Sequence, residues 1–138
     1  MYNPDTDLLF PLRVIPLLRG SRSGEQWADL IERMDAPDCP RTEKLAFVLV
    51  MVRQGGCATC TADSFRAMRG CTACARQTVR RYRGSDAEWL ELLRQAKKEV
   101  EQYLNKHTGY FWCYWWIDLE RKFAKCIKPL PGKPCWQP

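Results

Sequence analysis

The sequence predicts an all-α fold, a single small domain over residues 1–138 with about five to six helices. Two segments, near residues 23 and 85, combine a helix-capping motif with apolar residues at helical spacing. Near the C-terminus, five apolar residues also recur every three or four positions, namely Trp112, Trp116, Leu119, Phe123 and Cys126. An apolar content of 46% is typical of a globular chain, and a chain of this length buries a core without obligatory staples.

Residues 1–22 are predicted to form an extended apolar arm, because prolines at positions 4, 11 and 16 interrupt any helix. We expect this arm to lie against the domain or against a partner. It lacks the basic start of a secretory signal, and its apolar run is shorter than the roughly 20 residues that a membrane span needs. The sequence therefore predicts a soluble, cytoplasmic protein.

The helical core is predicted to extend over residues 23–109, and its first helix starts with a capping box formed by Ser23 and Gln26. Pro37 is expected to end this helix. An apolar face repeats at helical spacing and comprises Trp27, Leu30, Ile31 and Met34.

The next predicted element is a run of eight apolar residues, 45–52. Periodicity alone does not separate a buried helix from a buried strand here. The charged residues before the run and Thr42 as a cap favour a helix. Gly55 and Gly56 are expected to end it.

A long amphipathic helix is predicted from a capping box of Ser85 and Glu88 to a terminating Gly109. An aromatic helix over 110–126 and an extended, proline-rich tail over 127–138 follow it. One helix face cannot bury all of the large rings, so we expect some to contact a protein partner, a second copy of the chain or a membrane surface. The expected contact residues are Trp112, Tyr114, Trp115 and Trp116.

Two Cys-x-x-Cys motifs lie between these helices in the pattern C-x2-C-x10-C-x2-C. Zinc prefers tetrahedral thiolate ligands, and each motif supplies two sulfurs from one tight turn. The sequence therefore predicts one four-cysteine zinc site, with an iron–sulfur cluster as the alternative occupant. The predicted ligands are Cys57, Cys60, Cys71 and Cys74.

The same motifs suit thiol redox chemistry, because both pairs are expected to open helices, where the helix dipole favours thiolate. The segment 43–70 has an apolar, glutamate-bearing helix followed by a Cys-x-x-Cys helix. It resembles the core of AhpD-like alkylhydroperoxidase and carboxymuconolactone decarboxylase proteins. The resemblance implies a metal-free thiol oxidoreductase whose activity is carried by Glu43, Cys57 and Cys60.

This resemblance covers about residues 40–105 if the helix that begins near residue 85 is included. In that family a histidine follows shortly after the second cysteine, whereas this chain has Asp63 and Ser64 in that region. The second Cys-x-x-Cys motif has no counterpart in the family pattern.

Six arginines lie in or directly after the two motifs, and no acidic residue stands between residues 64 and 85. Arg66 and Arg69 are expected to lie beside the sulfurs and to neutralise the negative charge of a four-thiolate zinc site. The remaining arginines either contact nucleic-acid phosphates, with Tyr82 stacking on a base, or pair with acids of the 86–101 helix. These remaining arginines are Arg76, Arg80, Arg81 and Arg83.

The sequence shows no Ser-His-Asp set and no phosphate-binding glycine loop, and it contains one histidine. The leading prediction is a non-enzymatic, zinc-stapled interaction or accessory subunit that binds a protein partner or larger complex. The alternatives are a Cys-x-x-Cys thiol oxidoreductase and a zinc-knuckle nucleic-acid-binding protein. The formal net charge of +6 permits binding to a polyanion without requiring it.

Overall fold

A computed structural model describes the backbone of residues 3–123 and the side chains of residues 3–107. Within that range the chain is helical and contains no β-strand, so the predicted all-α class is confirmed. The chain divides into two units, one ending at Gln102 and one starting at Tyr103. None of the described helices combines the length and apolar character that crossing a membrane requires.

The described fold consists of five α-helices and three short 3-10 helices. The α-helices are α1 (Glu25–Asp35), α2 (Arg41–Gly55), α3 (Phe65–Arg69), α4 (Cys71–Arg81) and α5 (Asp86–Phe123). The 3-10 helices are Leu12–Val14, Pro16–Ser21 and Cys57–Thr59.

The N-terminal segment is not the extended arm that the prolines predicted. It forms the 3-10 helices Leu12–Val14 and Pro16–Ser21, and Pro16 occupies the first position of the second one. Proline fits that position because its fixed φ suits a helix start and its missing N–H would have no partner there. The segment packs against the rest of the first unit through four buried side chains, Phe10, Val14, Ile15 and Leu18.

Two tryptophans form the centre of the core. Trp27 of α1 and Trp89 of α5 are fully buried and meet edge to face, with ring centroids 5.3 Å apart and planes at 87°. Such a contact adds about 0.5–1.5 kcal/mol beyond area burial. Trp27 Nε1 also donates a hydrogen bond of 2.9 Å to the backbone oxygen of Leu18, which ties the N-terminal segment to α1.

The predicted helix starts are partly right. Gly24 caps α1 without a side-chain hydrogen bond, so the capping box at Ser23 and Gln26 is wrong. At the start of α5, the backbone N–H of Glu88 donates to Ser85 Oγ at 3.2 Å, which confirms one half of the second box.

The segment 45–52 is helical, as the cap and the charged start predicted. It lies inside α2, which begins at Arg41, with Pro40 and not Thr42 as the cap residue. The helix ends at Gly55, and Gly56 takes the left-handed conformation (φ 65°, ψ 35°) that favours glycine. The predicted glycine stop is therefore confirmed.

The predicted break at Gly109 is wrong, because α5 continues through it to Phe123. Glycine in a helix interior costs about 1 kcal/mol relative to alanine, yet it keeps its backbone hydrogen bonds. The residues that flank Gly109, such as Thr108 and Tyr110, are only moderate helix formers, so local propensity does not explain why the helix continues. The segment predicted as a separate aromatic helix continues α5, and its side chains, like the tail 127–138, lie outside the described residues.

A four-cysteine cavity as the candidate functional site

The structure brings both Cys-x-x-Cys motifs to one small cavity of about 30 Å³, which all four cysteines line. The four lining cysteines are Cys57, Cys60, Cys71 and Cys74. None of them forms a disulfide. Because roughly 10–15 Å³ of such space holds one water molecule, the cavity has room for a single ion.

The first pair is positioned by the turn that follows α2. Gly56 reverses the chain in its left-handed conformation, and Cys57 opens the 3-10 helix Cys57–Thr59. Cys60 follows with extended backbone. The expectation that this pair opens an α-helix is therefore wrong, because the left-handed glycine leads into a single tight turn.

The second pair does lie at an α-helix N-terminus, as predicted. Cys71 is the first residue of α4, and Cys74 lies one turn further along. Gly70, with φ at 89°, joins the short α3 to α4 and lets the two helices follow each other directly.

Arg66 links α3 to the first cysteine turn. Its Nη1 donates to the backbone oxygens of Gly55 at 2.6 Å and of Gly56 at 3.1 Å, and its Nη2 donates to Thr59 Oγ1 at 3.1 Å. Arg66 also lines the cysteine cavity, as the sequence predicted. Since three acceptors of the turn share one guanidinium, this side chain fixes the position of the first Cys-x-x-Cys motif.

Arg69 is not among the residues that line the cysteine cavity. Its Nη1 donates to Gln77 Oε1 at 2.5 Å, and its guanidinium lies 5.8 Å from the centroid of the Phe65 ring. Its expected role in neutralising the charge of a four-thiolate zinc site stays a prediction. One turn of helix separates Arg69 from Arg66, and Arg69 faces a neighbouring groove.

The N-terminal segment supplies a cap for α4 that sequence reasoning missed. Asp5 Oδ2 accepts the backbone N–H of Thr72 at 2.8 Å, and Asp5 Oδ1 accepts its hydroxyl at 3.0 Å. The backbone oxygen of Asp5 accepts the N–H of Cys71 at 3.1 Å. Burial raises the pKa of Asp5, but the hydrogen bonds from Thr72 and Arg13 outweigh it and set the pKa below its ordinary value.

The same segment directs backbone amides at two of the sulfurs. The N–H of Asp7 donates to Cys71 Sγ at 3.3 Å, and the N–H of Phe10 donates to Cys57. A third sulfur, Cys60 Sγ, lies 3.4 Å from Ser64 Oγ. Donors of this kind stabilise thiolates and orient metal ligands in metal sites.

Burial raises the pKa of both Cys57 and Cys74, and the other thiols at the cavity raise it further. Arg66 acts in the opposite direction on Cys74, without reversing the shift. A reactive dithiol has a lowered pKa, so the shift at Cys57 is opposite to the one that the oxidoreductase alternative expects.

The cysteine side chains are not preassembled around a metal position. Within the described residues, no group of three or more cysteine, histidine or acidic side chains has an arrangement that could hold an ion as it stands. Zinc–sulfur bonds are about 2.3 Å long, so the sulfurs would have to turn inward to bind.

Glu43, the third residue of the oxidoreductase set, is not brought to the cysteines. It lies in the first turn of α2, where it pairs with Lys97 at 2.8 Å and with Arg33 at 3.9 Å. The distance from Glu43 to the helix end at Gly55 is about 18 Å at 1.5 Å per residue. Glu43 therefore has no direct contact with the cysteine turn.

Beside the cysteine cavity lies an open groove of about 500 Å³, and Gly55, Arg66, Cys74 and Thr78 line both. Four arginines line the groove, and no acidic residue does. These four are Arg66, Arg69, Arg81 and Arg83. The structure thus places two of the predicted anion contacts, Arg81 and Arg83, beside the two arginines expected near the sulfurs.

The predicted pairing of the basic segment with α5 is wrong. Across the described part of the chain, none of the six arginines at positions 66–83 forms an ion pair. Three acids of α5 pair instead with arginines outside positions 66–83. The α5 pairs are Asp86 with Arg22, Glu91 with Arg94 and Glu99 with Arg53.

Tyr82, the predicted stacking residue, also lines the groove and is half-buried. Its ring meets Trp89 edge to face at 4.8 Å, and the guanidinium of Arg22 lies 5.8 Å from its centroid. The exposed ring in this region is Phe65, which is 70% exposed. Arg76 lies outside the groove, with its Nε donating to the backbone oxygen of Leu17 at 3.3 Å.

The predicted aromatic contact surface in α5 cannot be placed, because these side chains lie outside the described residues. The surface consists of Trp112, Tyr114, Trp115 and Trp116. The chain matches no protein-family model, no curated protein and no solved structure. The functional interpretation therefore depends on the cavity and the groove themselves.

Proposed function

We propose that this protein is a non-enzymatic interaction module whose fold is closed by one structural zinc ion on its two Cys-x-x-Cys motifs. The observation that supports this most strongly is the convergence of four unpaired cysteines on one cavity of about 30 Å³. Two motifs separated by ten residues meet there, although each alone supplies only two ligands. The proposed ligands are Cys57, Cys60, Cys71 and Cys74.

The size of the cavity favours zinc over an iron–sulfur cluster. A single ion fits the space of about two water molecules, whereas a cluster adds iron and sulfide atoms that need a larger cavity. Four protein thiolates complete the tetrahedral preference of zinc and leave no open position for a substrate or a water. A site of this kind stabilises a fold and does not catalyse.

The ion would join two parts of the first unit directly. Its ligands come from the turn after α2 and from the first turn of α4, and α3 lies between them. α3 is only five residues long, too short to be stable by itself. Apparent binding energies of structural zinc in small peptides are about 10–16 kcal/mol, enough to fix this region.

Exposed apolar side chains support the interaction role. Leu9, Leu12 and Leu17 are each about half exposed and belong to the N-terminal segment that packs beside the cavity. An apolar surface held in place by a rigid support suits binding to a protein partner or to a larger complex.

The direct test is the metal content of cysteine variants purified under reducing conditions. Wild-type protein should contain about one zinc per chain, and Cys60→Ser and Cys71→Ser should contain much less. Cys39→Ser is the matched control, because Cys39 is a free cysteine that does not line the cavity and should keep full zinc content.

Thiol counting under native conditions completes this test. The four proposed ligands should resist a thiol reagent until a chelator is added. Metal-free wild-type protein with immediately reactive thiols, or a disulfide within either motif, would contradict the proposal and favour the thiol oxidoreductase.

A further inference from the structure

We propose that the arginine-lined groove beside the cysteine cavity binds single-stranded nucleic acid, through backbone phosphates and one base stacked on Phe65. This inference goes beyond the structural ion, and it depends on α3 and α4 and not on the identity of the metal. The groove is lined by Arg66, Arg69, Arg81, Arg83, Phe65 and Tyr82, together with Gln54, Gly55, Cys74, Gln77 and Thr78.

The charge of the groove is not compensated within the described residues. Six arginines occupy positions 66–83 and none has a carboxylate partner, whereas arginines elsewhere, such as Arg13, Arg19 and Arg53, are ion-paired. The net charge of the whole chain is +6, so the excess equals the charge of this one segment. Arginine forks match phosphate oxygens in geometry and charge, which makes a phosphate-bearing ligand the expected occupant.

The groove also offers a ring for a base. Phe65 is 70% exposed although it is large and apolar, and it lines the groove together with the guanidinium of Arg69 beside it. An exposed aromatic face among arginines is the combination that binds unpaired bases. A duplex keeps its bases stacked on each other, so this arrangement favours a single strand.

The basic surface extends beyond one nucleotide. A neighbouring concavity of about 480 Å³ shares Tyr82 and Arg83 with the groove and adds Arg80, whereas its other arginine, Arg22, is paired with Asp86 in the same lining. Arg76 and Arg80 are four residues apart on α4 and therefore lie on the same face of that helix. Because Arg80 adds a further arginine beside the four that line the groove, the basic surface suits a polymer better than a free nucleotide or a single phosphate group.

The test is the anisotropy of a labelled single-stranded oligonucleotide of about 12 nucleotides, a length within the range that one small domain contacts. With about four phosphates neutralised, the logarithm of the affinity should fall with the logarithm of salt concentration with a slope near −3. The double variant Arg69→Gln/Arg81→Gln should reduce the affinity at least about tenfold and make the slope shallower.

Two matched controls separate the groove from general charge and general surface effects. Arg19→Gln/Arg94→Gln removes the same charge from arginines outside the groove and should bind like wild type. Phe65→Ala should weaken binding about tenfold, as loss of one stacked base does. Met68→Ala, an exposed apolar residue of the same helix that does not line the groove, should not change it.

Equal losses in the two double arginine variants would overturn the proposal, because net charge alone would then explain binding. Stronger competition by a duplex of equal length, by a mononucleotide or by inorganic phosphate would also overturn it. Zinc content is measured in the same preparations. A zinc-loaded protein that fails to bind the oligonucleotide therefore refutes only the groove, and a zinc-free protein that binds it refutes only the ion.

Discussion

Asp5 Oδ2 accepts a hydrogen bond of 2.8 Å from the backbone N–H of Thr72, across 67 positions of the chain. This contact caps α4 at the helix turn that carries Cys71, because the backbone oxygen of Asp5 accepts the N–H of that cysteine. The N-terminal segment is therefore part of the cysteine site and not an appendage to it.

Replacing Asp5 by alanine should lower the free energy of unfolding by about 1 kcal/mol, as the loss of a helix cap does. Chemical denaturation monitored by circular dichroism measures this change. Asp38→Ala is the control, since Asp38 is an exposed acid outside this cap, and it should change stability by less than about 0.5 kcal/mol. Equal effects of the two substitutions would show that Asp5 does not act as a cap.

The contribution of Asp5 should disappear in acid. Hydrogen bonds from Thr72 and Arg13 overcome the effect of burial and set the pKa of Asp5 below 3.8. When folding lowers the pKa of a carboxyl group, its ionised form stabilises the folded state at every pH above the unfolded-state pKa. This stabilisation is lost as the pH falls through the folded-state pKa. The difference in unfolding free energy between wild type and Asp5→Asn should stay constant above about pH 5 and shrink below 3.8.

A difference that grows or stays unchanged below that pH would mean that the ionised carboxylate does not contribute. Wild type and Asp5→Asn have the same cysteines, so acid would release zinc from both proteins equally. The difference between their unfolding free energies therefore does not include the effect of acid on the proposed zinc site.

Arg66 should matter for the cysteine turn more than its neighbour Arg69. Arg66→Lys keeps the charge but not the fork that reaches the backbone oxygens of Gly55 and Gly56. We expect a loss of about 1–3 kcal/mol in stability and faster release of zinc to a chelator. Arg69→Lys should leave zinc release unchanged, because Arg69 faces the groove. Equal release rates in the two variants would remove the role assigned to Arg66.

The two central tryptophans should respond differently to the same substitution. Trp27 Nε1 donates to the backbone oxygen of Leu18, whereas Trp89 Nε1 has no partner within the described residues. Trp27→Phe removes this hydrogen bond and should cost about 0.5–1.5 kcal/mol more than the packing loss it shares with Trp89→Phe. Thermal unfolding of the two variants measures the difference, and a larger loss for Trp89→Phe would contradict this account.

Gly109→Ala tests the continuity of α5. In a helix interior the substitution should raise helix content and stabilise the helix by about 1 kcal/mol. If Gly109 instead ended the helix in a left-handed conformation, as the sequence suggested, alanine would destabilise it. Far-ultraviolet circular dichroism of the two proteins decides between these outcomes.

Local signals in the sequence were enough to place several helices. The apolar spacing of Trp27, Leu30, Ile31 and Met34 predicts the buried face of α1, and all four residues are buried. The glycine pair Gly55 and Gly56 marks the end of α2. Gly55 is the last helical residue, and Gly56 takes the left-handed conformation that ends the helix. These features depend on neighbours within one or two turns, so a reading of the sequence finds them.

Features that depend on distant residues were not predictable in the same way. No local pattern shows that Asp5 caps α4 or that the proline-interrupted segment is buried through Val14 and Leu18. The convergence of the two cysteine pairs was predicted from motif spacing. Whether an arginine has a carboxylate partner, in contrast, depends on which acidic side chains the fold brings within reach. The direction in which Arg66 and Arg69 point, one turn apart, is also a tertiary property.

The most direct test of the central claim is X-ray absorption at the zinc edge of the purified protein. We expect four sulfur neighbours at about 2.3 Å from the zinc and no nitrogen or oxygen ligand. A spectrum with two sulfurs completed by lighter atoms, or a protein without zinc to measure, would contradict the claim that both cysteine motifs hold one ion.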